Sequence, residues 1–160
     1  MIVSASPQSI AQATEYLRRG ELVAFPTETV YGIGADARSE EAVQKIFAAK
    51  GRPSNNPLIV HVAGIKDIPK AAALDRAPQA AGWLSKLEKF WPGPLSIILP
   101  KAASIASATC AGLDSVAVRI PAHPVARALL DACKFPIAAP SANLSNYVSP
   151  TTALHVEDFL

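Results

Sequence analysis

The stretch Ser115-Val116-Ala117-Val118-Arg119-Ile120 (SVAVRI) decides how the chain is expected to fold. Alternate residues of a β-strand point to opposite faces of a sheet, so the two valines and Ile120 form one apolar row while Arg119 lies on the other face. A guanidinium cannot lose its charge, and an arginine in such a strand therefore needs an anionic partner. Either a bound carboxylate or phosphate, or a distant Asp or Glu of the chain, would satisfy it, and the sequence leaves both open.

Apolar runs of this kind alternate with amphipathic stretches along the chain. Strands are expected at residues 22–25, 58–62 (LIVHV), 95–99, 115–120 and 137–139. Helices are expected at residues 6–20, 39–51, 77–90, 124–133 and 151–160, whereas the Ala- and Ser-rich run 102–112 is expected to be a mobile loop. The alternation predicts an α/β sheet with helices on both faces.

Composition excludes several classes of protein. Of 160 residues, 50% are hydrophobic and 18% are charged, with a net charge of +2, which is typical of one folded domain and not of a disordered chain. No apolar run suits a membrane span and no signal peptide is recognisable, so a cytoplasmic location is expected. Cys110 and Cys133 lack any metal-ligand spacing and are interpreted as buried structural thiols.

Two polar loops and one histidine are candidates for chemistry. The hydroxyl-rich PTETVYG (26–32) follows a strand, where α/β sheets bind ligands, although its threonines could equally form an ordinary turn. Lys50 and Arg52 suit a triphosphate, or else complement the negative end of the preceding helix. His61 lies among apolar residues and could be a ligand contact or a core histidine. The GIGADA run (32–37) resembles a dinucleotide fingerprint, but the expected acidic residue about 20 positions further on is absent.

Taken in order, five motifs resemble the YrdC/Sua5 family, the L-threonylcarbamoyladenylate synthases: PTETVYG (26–32), KGRPSNNPLIVHV (50–62), WPGPL (91–95), SVAVRIPAHPVA (115–126) and PIAAPSAN (136–143). The resemblance implies a twisted, open mixed sheet with helices on both faces and a central, positively lined cavity. It also implies a nucleotidyltransferase that condenses L-threonine, bicarbonate or CO2, and ATP to threonylcarbamoyl-AMP and pyrophosphate. That product is used to make N6-threonylcarbamoyladenosine in tRNA.

The same resemblance assigns roles to individual residues. L-Threonine would be bound by Thr29, His61, Arg119 and Ala139, and ATP by Arg52, Asn56, Ser115, Ser141 and Ser149. The catalytic set, which matches the family's KxR and SxN motifs, would be Lys50, Arg52, Ser141 and Asn143, with Thr27 and Tyr31 shaping the pocket. Mg2+ is expected to arrive with ATP and to need no protein ligands, and no prosthetic group is implied. Possible partners are tRNA or double-stranded RNA and the transferase proteins that use the product; no membrane partner is expected.

The resemblance extends to the last residue, so residues 1–160 are interpreted as a single YrdC-like domain. Family members continue beyond the segment that corresponds to Ser149–Val156, and the domain is therefore expected to lack its C-terminal part. Three other functions remain open: an RNA-binding module, a non-catalytic truncated relative, and a carbamoyl-transfer domain of the kind found in hydrogenase maturation.

Overall fold

The computed structural model describes residues 1–160. Its five α-helices are α1 (Pro7–Arg18), α2 (Glu40–Lys50), α3 (Ala80–Leu87), α4 (Pro124–Cys133) and α5 (Ala153–Phe159). Its six strands are β1 (Val23–Pro26), β2 (Tyr31–Asp36), β3 (Ile59–His61), β4 (Ser96–Pro100), β5 (Ser115–Arg119) and β6 (Ile137–Ala138). No helix is both long enough and apolar enough to cross a membrane.

Local capping chemistry sets the ends of the helices. The Ser6 side chain accepts the Ser9 N–H at 3.1 Å and begins α1, as predicted. At the start of α2, the Ser39 side chain accepts a backbone N–H in the same way, and two glutamates occupy the positive first turn. Gly51 ends α2 in the left-handed conformation, with φ 55°, which glycine adopts without steric cost.

The strands form one mixed sheet in the order β1-β2-β6-β3-β5-β4. Only β3 and β5 run parallel, while every other neighbouring pair is antiparallel. The predicted mixed sheet is therefore confirmed, but the sequence pattern does not predict β2, which forms a hairpin with β1. Gly34 of β2 explains the difference, because a Cβ there would lie 2.7 Å from the Phe25 ring and 2.8 Å from Ile137. A residue of low strand propensity is required at this position by packing.

Each face of the sheet carries its own hydrophobic core. The larger core contains α2 together with the apolar row of β5, in which Val116 and Val118 are buried. The smaller core packs α1 and α4 against β1 and β6. Helices therefore lie on both faces, as predicted, but α1 and α4 do not extend over β4, where Ile98 is 74% exposed. Arg119 lies on this same face of the sheet, where β3, β5 and β4 extend beyond α1 and α4.

The segment 102–112 is packed rather than mobile, so that prediction is wrong. Ile105 and Cys110 are buried, and the Thr109 carbonyl accepts the Leu58 N–H at 2.9 Å. Small residues let the chain fit closely beside α2, which the high alanine and serine content does not reveal. The helix predicted from residue 77 begins at Ala80. Both cysteines are free and buried, as predicted.

Candidate active site

Two polar residues lie side by side on the smaller-core face of the sheet, at the ends of the parallel strands. The register of β3 and β5 places His61 opposite Arg119, and their exposed fractions are 3% and 8%. Ala139 borders them, since its N–H donates to the Ile59 carbonyl at 2.9 Å. Three residues that the resemblance assigns to threonine binding thus lie along β3, with His61 and Arg119 at its end and Ala139 beside its first residue.

Arg119 has an anionic partner within the chain, and that partner is Glu28. Its Nη2 donates to Glu28 Oε1 at 2.7 Å and to the Thr29 hydroxyl oxygen at 3.2 Å. The other oxygen of Glu28 accepts the Ala122 N–H at 2.9 Å. A distant glutamate is one of the two possibilities that the sequence leaves open. Arg119 Nε is nevertheless buried without a partner, so the guanidinium still has a donor to offer a ligand.

Glu28 keeps its negative charge in this setting. Burial alone would raise the pKa of its carboxyl, but the hydrogen bonds from Arg119 and from backbone N–H groups outweigh burial and lower that pKa below its ordinary value. The residue belongs to the PTETVYG motif, but none of the sequence-based roles includes it. Its partner lies 91 residues away along the chain, and only the anion that Arg119 requires pointed to it.

His61 is a neutral imidazole in an apolar and positively charged setting. Burial, together with the nearby positive charge of Arg119, lowers its pKa to about 4. The ring meets Phe25 edge-on, with centroids 6.3 Å apart. Its Nδ1 is buried and makes no hydrogen bond of standard geometry, while the backbone of Ile137 and Ile59 partly opposes the lowering of the pKa. Buried polar atoms in folded proteins are usually paired, so this atom and Arg119 Nε together indicate a place where a ligand binds.

The turn that joins β1 to β2 lies over this pair. Thr27 Oγ1 donates to the Val30 carbonyl at 2.7 Å and accepts the Thr29 N–H at 3.2 Å, which fixes the turn internally. The threonines therefore do form an ordinary turn, and Thr29 additionally contacts Arg119. Tyr31 continues the turn into β2, and its N–H donates to the Pro150 carbonyl at 2.9 Å.

A second group of predicted residues surrounds the end of α2. The Lys50 side chain is buried, and its ammonium donates to the carbonyl oxygens of Ser141, at 2.5 Å, and of Asn143. Burial and the neighbouring Arg52 lower the pKa of Lys50 to about 8. The Asn143 amide donates to the Tyr147 carbonyl at 2.8 Å, while its Oδ1 is buried without a partner.

Arg52 is half-buried beside this group. Its Nε donates to the Asn56 carbonyl at 3.2 Å and its Nη2 to the Pro57 carbonyl at 3.1 Å. Burial lowers the pKa of Arg52 from its ordinary value. The pairing of β3 with β5 begins at Ile59 opposite Ala117, and the Leu58 N–H donates to the Thr109 carbonyl instead of continuing it. Ser115 lies at the start of β5, about 13 Å along the strand from Arg119.

The structure brings the predicted residues into two groups, and backbone hydrogen bonds to β2 connect them. The Ala142 N–H donates to the Tyr31 carbonyl at 2.8 Å, which joins the loop after β6 to the start of β2. Ser149 is half-buried next to Pro150, which bonds to Tyr31 in turn. Two cavities occur elsewhere, beside α4 and beside residues 69–76, and neither is lined by a predicted site residue. The central, positively lined cavity stays a prediction.

Comparison with known proteins gives the family. Residues 15–160 match the profile of the Sua5/YciO/YrdC family, which carries the description "Telomere recombination". The chain belongs to this family.

Individual relatives agree closely in sequence and structure. The chain is 52% identical over 148 residues to the threonylcarbamoyl-AMP synthase of Pyrococcus abyssi, covering 92% of this chain and 42% of that protein. It is 52% identical over 155 residues to the enzyme of the same name from Bacillus subtilis, covering 96% of this chain and 44% of that protein. The crystal structure of P. abyssi Sua5 complexed with L-threonine superposes with a TM-score of 0.89 at 48% identity, over 98% of this chain and 45% of that one. The chain thus spans less than half the length of these relatives.

Proposed function

We propose that this chain carries the active site of an L-threonylcarbamoyladenylate synthase, a nucleotidyltransferase. The observation that carries the proposal is the pair of buried, unpartnered nitrogens, Arg119 Nε and His61 Nδ1, on neighbouring strands. Leaving such atoms unpaired costs about 1–3 kcal/mol each, which a ligand with matching polar groups recovers on binding. The names of the relatives, and the complex of P. abyssi Sua5 with L-threonine, support threonine as that ligand.

L-Threonine has two groups that suit this pair. Its carboxylate would bind the free donor of Arg119 through a charge-assisted hydrogen bond. Its hydroxyl would bind near His61 and Thr29, since the neutral imidazole can accept or donate a hydrogen bond. Glu28 neutralises part of the charge of Arg119, and a bound carboxylate would share the guanidinium with Glu28.

ATP would bind across the second group. Arg52 uses two donors on backbone carbonyls and keeps others free for the triphosphate. The nucleotide would also contact Ser115, Asn56, Ser141 and Ser149. Because Ala142 bonds to Tyr31, the two substrates would meet where the loop after β6 crosses β2.

The reaction then requires no covalent enzyme intermediate. The uncharged amine of threonine attacks CO2 and loses a proton to solvent, or attacks bicarbonate with loss of water, and either route gives a carbamate. A carbamate oxygen attacks the α-phosphorus of ATP, the bond from that phosphorus to the bridging oxygen breaks, and pyrophosphate leaves. The chain's contribution is to hold both substrates in place and to stabilise the charge that develops on the leaving group beside Arg52.

Mg2+ offsets the charge of the triphosphate when it is bound. No cluster of three or more His, Cys, Asp and Glu side chains gathers in the structure, and we assign no step to the ion. The product would be consumed by transferase proteins that modify adenosine in tRNA, which makes those proteins and tRNA the proposed partners and the cytoplasm the proposed location.

Pyrophosphate release tests this function. The 160-residue chain is incubated with ATP and Mg2+, and bicarbonate and L-threonine are omitted in turn. We expect pyrophosphate release only when bicarbonate and L-threonine are both present. The Arg119→Gln variant should release pyrophosphate only at high threonine concentration. Release that does not depend on threonine would contradict the proposal, because it would indicate simple hydrolysis of ATP.

A further inference from the structure

The side chain of Lys50 is directed into the protein rather than toward solvent. Its exposed fraction is 2%, and its ammonium donates to two backbone carbonyls, those of Ser141 and Asn143. The contact is reciprocal, since the Ser145 N–H donates to the Lys50 carbonyl at 2.9 Å. We call residues 141–145 the serine turn.

These contacts occupy most of the hydrogen-bond donors of Lys50. An ammonium has three N–H donors, and two of them are already engaged with the serine turn. One N–H, on a side chain that is 2% exposed, is left for any other partner. Arg52, two residues further on, differs in that it is half-buried and retains free donors at the surface.

Among the side chains of α2, Lys50 makes the hydrogen bonds to the serine turn, while the Ala142 N–H bonds the other side of the turn to the Tyr31 carbonyl of β2. Asn143 closes the turn onto Leu144 and Tyr147, which are within the same loop. Without the ammonium, the carbonyls of Ser141 and Asn143 would lose this hydrogen-bond partner, at a cost that outward movement of the loop would reduce.

We infer that Lys50 is a positioning residue, which fixes the serine turn against the end of α2 and thereby places Ser141 for the nucleotide, and that it is not itself a ligand of the triphosphate. This inference rests on the proposed function for the identity of the nucleotide. The contacts themselves do not depend on it.

A comparison of ATP with AMP distinguishes a lysine that positions the serine turn from a lysine that binds phosphate. In Lys50→Met, which keeps an unbranched side chain and removes the ammonium with its charge, we expect ATP and AMP to lose affinity by the same factor, about tenfold or more. A phosphate ligand would instead weaken ATP and spare AMP. Arg52→Met is the matched control and should weaken ATP much more than AMP. Isothermal titration calorimetry of the 160-residue chain measures both, and the affinity for L-threonine should stay unchanged in Lys50→Met.

Hydrogen exchange provides a readout that needs no nucleotide. Lys50→Met should accelerate exchange of the Ser145 amide, while amides of the β1–β2 hairpin exchange as in the wild type. A selective loss of ATP affinity in Lys50→Met, or unchanged exchange at Ser145, would overturn the inference. If the wild type binds neither nucleotide, the proposed function fails, and the exchange result then decides the role of Lys50 by itself.

Discussion

The free energy of unfolding is expected to depend on pH partly through His61, and replacing His61 with glutamine should remove that part of the pH dependence. His61 is buried next to Arg119, and its pKa falls from an ordinary 6.5 to about 4 in the folded protein. In the unfolded chain the imidazole regains its ordinary pKa. Between these two values the unfolded state therefore binds one proton more than the folded state.

The sign and size of the effect follow from that difference. Stability is complete above the unfolded pKa of 6.5 and is lost as the pH falls toward the folded pKa of about 4. At about 1.4 kcal/mol per pH unit, the loss amounts to roughly 3 kcal/mol in the wild type. Glu28 also loses stabilising charge interactions as the pH falls, but it does so in both proteins. The difference between wild type and His61→Gln therefore isolates the histidine.

Urea unfolding of both proteins, at several values from about pH 7 to about pH 4, measures this difference. We expect the free energy of unfolding of the wild type to approach or fall below that of His61→Gln as the pH decreases. His155→Gln, which removes an exposed histidine, controls for the loss of an imidazole as such. A difference between wild type and His61→Gln that does not change with pH would refute the reasoning, and so would an NMR titration of His61 with a midpoint near its ordinary pKa.

Three further substitutions have expected outcomes. Arg119→Gln should raise the KM for L-threonine by about 10²-fold or more while the KM for ATP changes little, and steady-state kinetics with an unchanged threonine KM would contradict the carboxylate contact. Arg52→Ala should lower kcat by about 10²-fold or more, because a donor to the leaving group is lost, and turnover at the wild-type rate would exclude that role. Gly34→Ala should lower the free energy of unfolding by roughly 1–3 kcal/mol, since its Cβ would lie 2.7 Å from the Phe25 ring. Gly82→Ala is the control, because its Cβ would meet nothing within 4 Å, and equal urea midpoints for the two alanine variants would contradict the packing argument.

Features that depend on neighbouring residues could be predicted from the sequence. Ser39 and Gly51 delimit α2 through capping chemistry within a few residues, and the alternation in SVAVRI places Arg119 on the face opposite the larger core. The strand β2 could not be predicted in this way. Its glycine disfavours a strand locally and is explained only by the Phe25 ring that packs against it.

The same distinction between local and distant contacts applies to the candidate site. That Arg119 requires an anion follows from its charge and its strand, but Glu28 is 91 residues away and no local pattern links the two. Lys50 is similar, since its partners in the serine turn lie 91 and 93 residues further along the chain. Motif resemblance assigned Lys50 to catalysis, whereas its surroundings in the fold determine what its ammonium can reach.

The central claim is that this chain makes threonylcarbamoyl-AMP, and mass spectrometry of the reaction mixture tests it most directly. The chain is supplied with ATP, Mg2+, L-threonine and 13C-labelled bicarbonate, and each component is left out in turn. We expect a threonylcarbamoyl-AMP peak that carries the label and disappears when any substrate is omitted. A folded chain that binds L-threonine and ATP but yields no such peak would contradict the claim.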